Sequence, residues 1–381
     1  MSARSPRVDA PRVLAFADVA GSYVAAWRVH GPLEALKRSG EIADFVVTDA
    51  CLRGIPPRKS FDVIWLQRGV DRDLVRLVAE RFAGQFLLDI DDHLLCRPEY
   101  LGEHEFPPPE PIVDAMRACR VFTATSHRLC WLLEERSGLA LSGKFVHCPN
   151  ASDFSLVAPR EPRPPQAVLL TQGQRLALVD SADEVLTAIG DFCARRALPL
   201  CYFGPPLKRL SPLAERRLCN VITAGELPLA AYHGAVASLP PMLAVAPLET
   251  VGGASTVEFV AGKSDVKMVE YSGLGHPGVY SCAPPYLDSD LRCGRLTENT
   301  YDAWSATLDE GIAEGWRLSA AEQMETARRR DIARVATDCW APAVEAARLE
   351  HPLEGRSIAR AVDRLHARIV SGRARLAWHL R

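Results

Sequence analysis

The chain has 381 residues, a formal net charge of −2, and 48% hydrophobic and 24% charged residues. Its length exceeds what one hydrophobic core usually serves, so two domains are expected, and its composition is that of an ordinary globular protein. The small net charge does not support nucleic-acid binding, and no apolar run approaches the roughly 18 residues of a membrane-spanning helix.

The cysteines indicate a reducing environment. Eleven are scattered along the chain without a C-x-x-C pair, and the first residues, MSARSPR, lack the pattern of a signal peptide. We therefore expect buried free thiols rather than disulfides or zinc ligands. The expected location is the cytoplasm, with peripheral attachment to the inner face of the membrane as the other option.

The chain opens with the pattern of a Rossmann-like unit. RVLAFA, residues 12–17, predicts a strand, Gly21 and Ser22 a turn, and residues 23–38 a helix with an apolar stripe. This order places the turn at the edge where such domains bind ligands. Gly21, Ser22 and Arg28 are therefore candidate binding residues, and the alternative is a plain turn followed by a surface arginine.

Polar residues follow two further predicted strands at their carboxyl ends. Arg68 follows the apolar run VIWL, and Asp91, Asp92 and His93 follow the run FLLDI. Ligands of open α/β sheets bind at this edge, which makes Arg68 a candidate for holding an acceptor or donor phosphates. Carboxylates this close together raise one another's pKa values, so the group from Asp91 to His93 also indicates a functional site.

Three features complete the first half of the chain. Pro98–Pro111 is a proline-containing loop long enough to act as a lid or an acceptor loop. Ser126 precedes a helical pattern without a G-x-S-x-G setting, so it is predicted to be a helix N-cap and not a nucleophile. Residues 156–166 are rich in proline and are predicted to be the interdomain linker.

The second half begins with another strand and a glycine-containing loop, TQGQR, residues 171–175. Gly173 lets the backbone approach a ligand closely, and Arg175 offers a charge for a pyrophosphate, so both are candidate donor-binding residues. Tyr232, on a helix that follows the strand VITAG, is more typical of core packing than of stacking on a base.

The strongest signal lies in residues 243–286. An apolar strand, LAVAPL, is followed by a long predicted loop and by a helix that is entered at Gly262-Lys263-Ser264. A helix start carries unpaired N–H groups and the positive end of the dipole, so it is a natural seat for phosphate.

Helical spacing adds to this signal. Lys263, Lys267 and Glu270 fall on one face of the predicted helix. The chain has only six lysines, and two of them lie here within five residues. The alternative is a solvated helix end with a Lys/Glu pair.

The segment LAVAPL, then GKSDVKMVEYSGLGHPGVYS, then a Pro-Tyr pair resembles the donor site of GT-B glycosyltransferases of the family 4 and family 1 type. The shared pattern is K-S-x-x-K-x-x-E-Y on a helix, with G-x-P before the next strand. The resemblance implies an α/β GT-B fold, in which two Rossmann-like domains face a central cleft and C-terminal helices cross back to the first domain. It also implies a nucleotide-diphosphate sugar as co-substrate, transfer with retention of configuration, and no required metal or other cofactor.

The resemblance assigns roles to the candidate residues. The lysines and the helix start offset charge on the departing diphosphate, and Glu270 accepts hydrogen bonds from ribose hydroxyls. The first carboxylate of the family's E-x7-E pair falls on Gly262, with Lys263 or Glu258 as possible substitutes. The assigned sets are donor-binding Gly173, Arg175, Lys263, Ser264, Lys267 and Glu270, acceptor-binding Gly21, Ser22, Arg28 and Arg68, and catalytic Asp91, Asp92 and His93.

The acidic group has two alternative interpretations. Asp89-x-Asp91 fits the D-x-D string with which GT-A glycosyltransferases bind manganese, but this string is very common and the downstream motif belongs to the other fold. In that fold Asp91, Asp92 or His93 meets the acceptor or the reacting sugar, with a general-base or electrostatic role. Structural capping of the loop by Asp89 or Asp92 remains the other alternative.

The predicted domain boundaries follow from the linker. An N-terminal acceptor domain covers 1–155, a donor domain covers 167–345, and C-terminal helices cover 346–381, with the tail helical throughout from Tyr301. The last stretch, residues 356–381, is basic with interspersed apolar residues, which allows a weak contact with anionic lipid, although a solvated bundle helix is the alternative.

The expected function is glycosyl transfer from a nucleotide sugar to a glycan, lipid-linked glycan, protein or small molecule. Two alternatives stay open at this point. A sugar-nucleotide epimerase shares the fold and needs no acceptor. A catalytically silent nucleotide-sugar-binding partner protein is motivated by Gly262, where the family has a carboxylate.

Overall fold

The computed structural model describes residues 9–17, 22–48, 60–82, 84–155, 157–171, 182–204, 210, 220–225 and 227–354. The chain divides into two compact units. Within the described residues, the first unit comprises the chain up to Leu95, the segment 107–149 and the segment from Ala333 onward, and the second comprises Cys96–Phe106 and Asn150–Ile332. Each unit is built around one parallel sheet.

The first unit contains a six-stranded sheet with the order β2-β1-β4-β5-β6-β7. All five neighbouring pairs are parallel. Its strands read as nearly continuous apolar runs because parallel strands are buried on both faces. The strands are β1 Arg12–Phe16, β2 Asp44–Thr48, β4 Val63–Gln67, β5 Leu87–Ile90, β6 Val121–Ala124 and β7 Phe145–His147.

Helices connect these strands. The first helical stretch has a π-helical middle, Ala26–His30, and ends at Gly40, which takes a left-handed φ of 78°. The helices are α1 Tyr23–Ala25, α2 Gly31–Ser39, α3 Arg72–Phe82, α4 Pro109–Ala118 and α5 His127–Ser137, with short 3₁₀ turns at Glu103–Glu105 and Ser142–Lys144. Ser126 is the N-cap of α5 and accepts from the backbone N–H of Leu129 at 3.1 Å, as predicted.

The second unit has a six-stranded parallel sheet with the order β10-β9-β8-β11-β12-β13. This is the strand order of a doubly wound dinucleotide-binding sheet, and its direction of winding reverses between β8 and β11. The strands are β8 Val168–Thr171, β9 Leu200–Phe203, β10 Val221–Ala224, β11 Leu243–Ala246, β12 Gly278–Ser281 and β13 Arg295–Thr297. The helices are α6 Ala182–Arg196, α7 Leu229–Ser238, α8 Ala254–Ala261, α9 Val266–Gly273, α10 Pro284–Leu287, α11 Tyr301–Ala313 and α12 Ser319–Arg330, with a 3₁₀ turn at Gly315–Leu318.

The chain leaves the first unit after Pro149 and returns to it at Ala333. Sequence patterns had placed these two points later, after residues 155 and 345. The returning segment consists of α13 Ile332–Val335, a π-helical turn Ala336–Trp340 and α14 Ala341–Ala346. Trp340 is 1% exposed and stacks on Trp65 of β4 with ring centroids 4.6 Å apart, which anchors this segment to the first sheet.

Two sequence predictions about elements are wrong. The long loop expected before Gly262 contains a helix, α8, whose Thr256, Phe259 and Val260 are buried. The tail is not helical throughout, because Leu353–Glu354 forms β14, which pairs antiparallel with β3, Ser60–Phe61. Pro352 precedes this strand and disfavours the helical conformation of the residue before it. Residues 355–381, including the basic stretch, lie outside the described residues.

Part of the predicted lid loop belongs to the second unit. The Glu99 carboxylate accepts from the backbone N–H of Ser255 at 3.0 Å and of Thr256 at 2.7 Å, and also from the Thr256 hydroxyl. The Thr256 hydroxyl and these amides lower the pKa of Glu99 to about 2. Glu99 therefore caps the first turn of α8, and at Gly253 any side chain would collide with its carboxylate, 2.5 Å from the Cβ position.

In the described part of the chain, no helix has both the length and the apolar character needed to cross a membrane. All nine described cysteines are free thiols, as expected.

Candidate functional site

The edge of the second sheet between β8 and β11 is organised by two tyrosines. The Tyr271 hydroxyl accepts from the backbone N–H of Thr171 at 3.1 Å and donates to the Val245 carbonyl at 3.4 Å. The Tyr232 and Thr171 hydroxyls are 3.0 Å apart. Tyr232 is 1% exposed, so it packs in the core, as its helical pattern predicted. These contacts fix α9 against the carboxyl ends of the two strands at which the winding of the sheet reverses.

The turn before α9 carries the K-S pair. Gly262 ends α8, and its backbone N–H donates to the Glu258 and Phe259 carbonyls. The Lys263 ammonium lies 4.7 Å from the centroid of the Phe259 ring. The Ser264 hydroxyl accepts from the Asn150 side-chain amide at 2.8 Å. The turn is thus held on both sides, while Lys263 and Ser264 stay partly accessible to solvent.

The second turn of α9 carries a buried carboxylate, Glu270, between a lysine and a histidine. Glu270 Oε2 is 2.6 Å from Lys267 Nζ, and Glu270 Oε1 is 3.6 Å from His233 Nε2. The Glu270 side chain is 3% exposed, whereas that of Lys267 is 21% exposed. Burial opposes ionisation of Glu270, but Lys267 and His233 outweigh it and hold its pKa below the ordinary value. The carboxylate is therefore ionised at neutral pH, and its lysine partner reaches solvent.

Asp265 is the N-cap residue of α9, but its side chain does not cap the helix. Its carboxylate is bound instead by Arg330, with Nη2 to Oδ2 at 2.9 Å, and by the Ser289 hydroxyl at 2.6 Å. Arg330 also contacts the Asp290 carboxylate and donates to the Asn150 carbonyl at 3.2 Å. Arg330 and Asp265 are 4% and 7% exposed, so this ion pair lies inside the second unit.

The carboxyl edge of the first sheet, taken by itself, brings three predicted residues together. Arg68 Nε and Nη2 donate to both oxygens of Asp91 at 2.8 and 3.0 Å, and Nη2 lies 3.3 Å from Asp92 Oδ2. Arg68 has a left-handed φ of 68°, a conformation that non-glycine residues seldom adopt and that clusters at functional sites. Burial opposes ionisation of Asp91, but Arg68 lowers its pKa. A carboxylate held this way is a weak base, which favours a positioning or electrostatic role over proton abstraction.

Arg28 is in the interior of the first unit. Its guanidinium donates to both oxygens of Asp89 at 3.1 and 2.6 Å and to the Cys148 carbonyl at 2.7 Å, and it lies 4.8 Å from the Trp340 ring centroid. The side chains of Arg28 and Asp89 are 1% and 0% exposed. The alternative of a surface arginine is wrong, and the arrangement favours a structural role. Contact of Arg28 with an acceptor stays a prediction.

The other predicted residues divide into two groups. Ser22 is the N-cap of α1, accepting from the Ala25 N–H at 3.1 Å, and His93 is completely buried. Gly21, Gly173 and Arg175 lie outside the described residues. The structure thus joins Arg68 with Asp91 and Asp92 in one unit, and Lys267 with Glu270 in the other.

Sequence reasoning did not identify His233, Asp265 or Arg330 as site residues. His233 follows Tyr232 directly, yet its partners, Glu270 and Ser152, are distant in sequence, with Nδ1 lying 3.2 Å from the Ser152 hydroxyl. Arg330 is the last of three consecutive arginines, a run that usually indicates a solvated helix end. No local signal therefore distinguishes it from its neighbours.

No protein-family model and no curated protein matches this sequence. Solved structures match it over most of its length. HepE from Anabaena, in a complex with UDP and glucose, has a TM-score of 0.59 at 13% identity, over 86% of this chain and 97% of that one. Sucrose-phosphate synthase from Thermosynechococcus elongatus has a TM-score of 0.60 at 13% identity, over 86% and 96%. A trehalose-phosphate synthase from Burkholderia vietnamiensis has a TM-score of 0.51 at 12% identity, over 74% and 72%.

These matches extend over most of a chain that contains two six-stranded parallel sheets, one in each unit. The chain has the GT-B fold. The fold class predicted from the sequence is therefore confirmed. In this GT-B chain the candidate donor residues Lys263, Ser264, Lys267 and Glu270 all lie in the second unit, on the turn before α9 and on its first turns.

Proposed function

We propose that this protein is a glycosyltransferase that moves a sugar from a nucleotide-diphosphate sugar to an acceptor with retention of configuration. The observation that carries this proposal is the group formed by Lys267 and Glu270 of α9 with His233 of α7, at the edge of the second sheet where such folds bind ligands. HepE, a similar structure, has been solved with UDP-glucose, which supports a nucleotide sugar as the ligand.

Glu270 is suited to a ribose. One oxygen accepts a hydrogen bond from Lys267 at 2.6 Å, the other lies 3.6 Å from His233 Nε2, and the carboxylate is ionised. A buried anionic carboxylate with two acceptor oxygens matches the vicinal hydroxyls of a ribose, and each hydroxyl donates one hydrogen bond. The desolvation of Glu270 has already taken place in the folded protein, so these bonds form at a preorganised group.

Lys267 and Lys263 are suited to the diphosphate. Lys267 is 21% exposed, and an ammonium has three donors, so it can keep Glu270 and still reach an oxygen of the ligand. The α9 start adds N–H groups and the positive end of the helix dipole. As the bond between the sugar and the diphosphate breaks, negative charge grows on the leaving oxygen, and these fixed positive groups stabilise it.

In the first unit, we assign the acceptor to Asp92 rather than Asp91. Asp91 is held by both nitrogens of the Arg68 fork, whereas Asp92 makes one longer contact of 3.3 Å and its side chain is 25% exposed. A carboxylate that is less neutralised and better solvated is the more effective hydrogen-bond acceptor for a sugar hydroxyl. Arg68 then orients both carboxylates.

The first experiment is a thermal-shift screen of nucleoside diphosphates and nucleotide sugars. Ligand binding to the folded state raises the melting temperature with the logarithm of ligand concentration over Kd. The screen uses Lys267→Ala and Glu270→Ala as site variants and Lys37→Ala, an exposed lysine of the first unit, as the matched control. A shift that both site variants lose and the control keeps supports the proposal, and the absence of any shift contradicts it.

Donor turnover then separates the alternatives. With the ligand found in the screen, release of nucleoside diphosphate that Lys267→Ala abolishes supports a transferase. A sugar-nucleotide isomer formed without acceptor instead indicates an epimerase, and binding without turnover under any acceptor indicates a silent partner protein. Activity that persists in a chelator would support the proposed independence from metal, which stays a prediction.

A further inference from the structure

The most unusual buried group of the second unit is the ion pair between Arg330 and Asp265. Arg330 is 4% exposed and faces two carboxylates, Asp265 and Asp290. Within the part of the chain that the structure describes, its Nε–H has no hydrogen-bond partner. Burying a guanidinium and leaving one donor unsatisfied is unfavourable, and a buried ion pair is weak support for stability by itself. The arrangement therefore calls for a reason other than stability.

Asp265 shows what the ion pair changes. Aspartate at an N-cap normally turns its carboxylate onto the amides of the first helical turn. Here the Asp265 side chain makes no capping bond to α9, because Arg330 and the Ser289 hydroxyl hold the carboxylate, Ser289 at 2.6 Å. The Asp265 backbone carbonyl accepts from the Met268 and Val269 amides, which are the first hydrogen bonds of the helix itself.

The position of this carboxylate matters because the neighbouring groups are the candidate diphosphate ligands. Asp265 lies between Ser264 and Val266, with Lys263 two residues before it and Lys267 two residues after it. A carboxylate turned onto the start of α9 would place a negative charge at the helix N-terminus and beside the same lysines that the diphosphate needs. It would act as an internal competitor of the ligand, through the attraction of the helix start for any anion.

We propose that Arg330 is a positioning residue that keeps the Asp265 carboxylate away from the anion-binding start of α9. This inference rests on the proposed function of that site. Ser289 assists Arg330 by holding the same carboxylate oxygen. Asn150 completes the arrangement, because its carbonyl accepts from Arg330 while its amide donates to Ser264 in the same turn. Arg330 itself does not touch the ligand.

The test is a double-mutant cycle read by ligand affinity. The variants are Arg330→Gln, Asp265→Asn and the pair combined, with binding of inorganic pyrophosphate and UDP measured by calorimetry. Binding of pyrophosphate measures the affinity of the α9 start for a diphosphate without any contribution from a nucleobase. We expect Arg330→Gln to weaken both ligands at least tenfold, Asp265→Asn to stay within about threefold of the wild type, and the combined variant to recover to within about threefold of Asp265→Asn. Recovery is expected because an amide at position 265 carries no negative charge that competes with phosphate for the helix start.

The matched control is Arg329→Gln. Arg329 is the preceding residue of α12, is 39% exposed and pairs with Glu325 and Asp290. It is expected to leave affinity unchanged. Ser289→Ala provides a milder variant that retains both charges, for use where Arg330→Gln does not fold. It should weaken pyrophosphate binding about two- to threefold, and adding Asp265→Asn should abolish that loss.

The outcomes separate this inference from the proposed function. If the folded wild type binds neither pyrophosphate nor any nucleoside diphosphate, the proposed function is wrong and the inference falls with it. If the wild type binds but Arg330→Gln binds equally well, only the inference is wrong. It is also wrong if Asp265→Asn fails to restore binding to either Arg330→Gln or Ser289→Ala, because a purely structural role of these residues predicts additive losses.

Discussion

Each unit contains a basic side chain paired with a buried carboxylate, and the two pairs differ in what surrounds the base. In the first unit, Arg28 is 1% exposed, donates to Asp89 and to the Cys148 carbonyl, and lies against the Trp340 ring. In the second unit, the Lys267 side chain is 21% exposed, and its partner Glu270 is also approached by His233.

This difference separates a structural pair from a candidate ligand site. When the basic side chain is buried and its N–H groups are hydrogen-bonded within the protein, no donor remains for a ligand. Such a pair contributes only to the packing of its unit. Where the carboxylate is buried but the base reaches solvent, the base can bind an incoming anion while the carboxylate stays ionised. Residue type alone does not separate the two cases, because both pairs join an acid to a strong base.

The largest expected effect concerns the enclosed pair. Arg28→Met should lower the free energy of unfolding by about 3–5 kcal/mol, because it leaves the Asp89 carboxylate buried and unpaired. Replacing both residues, as Arg28→Met with Asp89→Leu, should recover much of this loss. Urea denaturation followed by tryptophan fluorescence measures both changes. A loss below about 1 kcal/mol for the single variant would show that solvent reaches this pair, and would contradict the difference in burial between the two pairs.

The open pair should respond in ligand binding instead. Lys267→Ala removes a charge-assisted contact worth about 1.5–3 kcal/mol, so nucleoside diphosphate should bind roughly 10- to 150-fold more weakly. The stability loss should be smaller than for Arg28→Met, since His233 still faces Glu270. Calorimetric titration measures the affinity, with Lys37→Ala as the exposed control, its side chain being 49% exposed. Equal affinities of Lys267→Ala and the wild type would remove the distinction between the two pairs.

A smaller effect is expected in the dependence of stability on pH. Because the pKa of Glu270 is lowered in the folded state, its ionisation stabilises the protein above the unfolded value of about 4.3, and this contribution is lost as pH falls through the lower folded value. In Glu270→Gln, the acid-side loss of stability should therefore be shallower than in the wild type. Urea midpoints measured from pH 7 down to pH 3 check this. Parallel curves for the two proteins would mean that Lys267 and His233 do not outweigh burial.

The smallest expected effect belongs to His233. His233→Ala should weaken nucleoside diphosphate binding roughly 2- to 5-fold, as expected for a contact worth about 0.5–1 kcal/mol that orients Glu270 without touching the phosphates. His233→Gln should retain more affinity than alanine, because a side-chain amide keeps a polar donor next to Glu270. Titration of both variants with the same ligand decides the order. A loss as large as that of Lys267→Ala would instead make His233 a direct ligand of the nucleotide.

The sequence was informative where function and fold depend on the same local pattern. Apolar runs predicted the strands β1, β5 and β11 because both faces of a parallel sheet are buried. The K-S-x-x-K-x-x-E-Y string placed Lys267 and Glu270 on one helix, and the ion pair between them follows from their spacing.

Sequence patterns did not predict the elements and side-chain contacts whose partners are distant in sequence. Helix α8 was predicted to be a loop, since its start is marked by two glycines and its cap, Glu99, lies far upstream. Arg330 resembles its neighbours Arg328 and Arg329 in sequence, but it alone faces inward to Asp265 among the three. The burial of Arg28 was not predicted either, because Asp89, the carboxylate that pairs with it, is contributed by a strand 61 residues further along the chain.

The assignment of Cys96–Phe106 to the second unit limits how the protein can be dissected. A fragment expressed as residues 150–332 would be continuous in sequence but would lack Glu99, so the amides of Ser255 and Thr256 would lose their acceptor. The two halves therefore cannot be exchanged with those of another protein of this fold as single continuous segments. A chimera must carry this short upstream peptide together with the downstream half, or receive it as a separate synthetic strand.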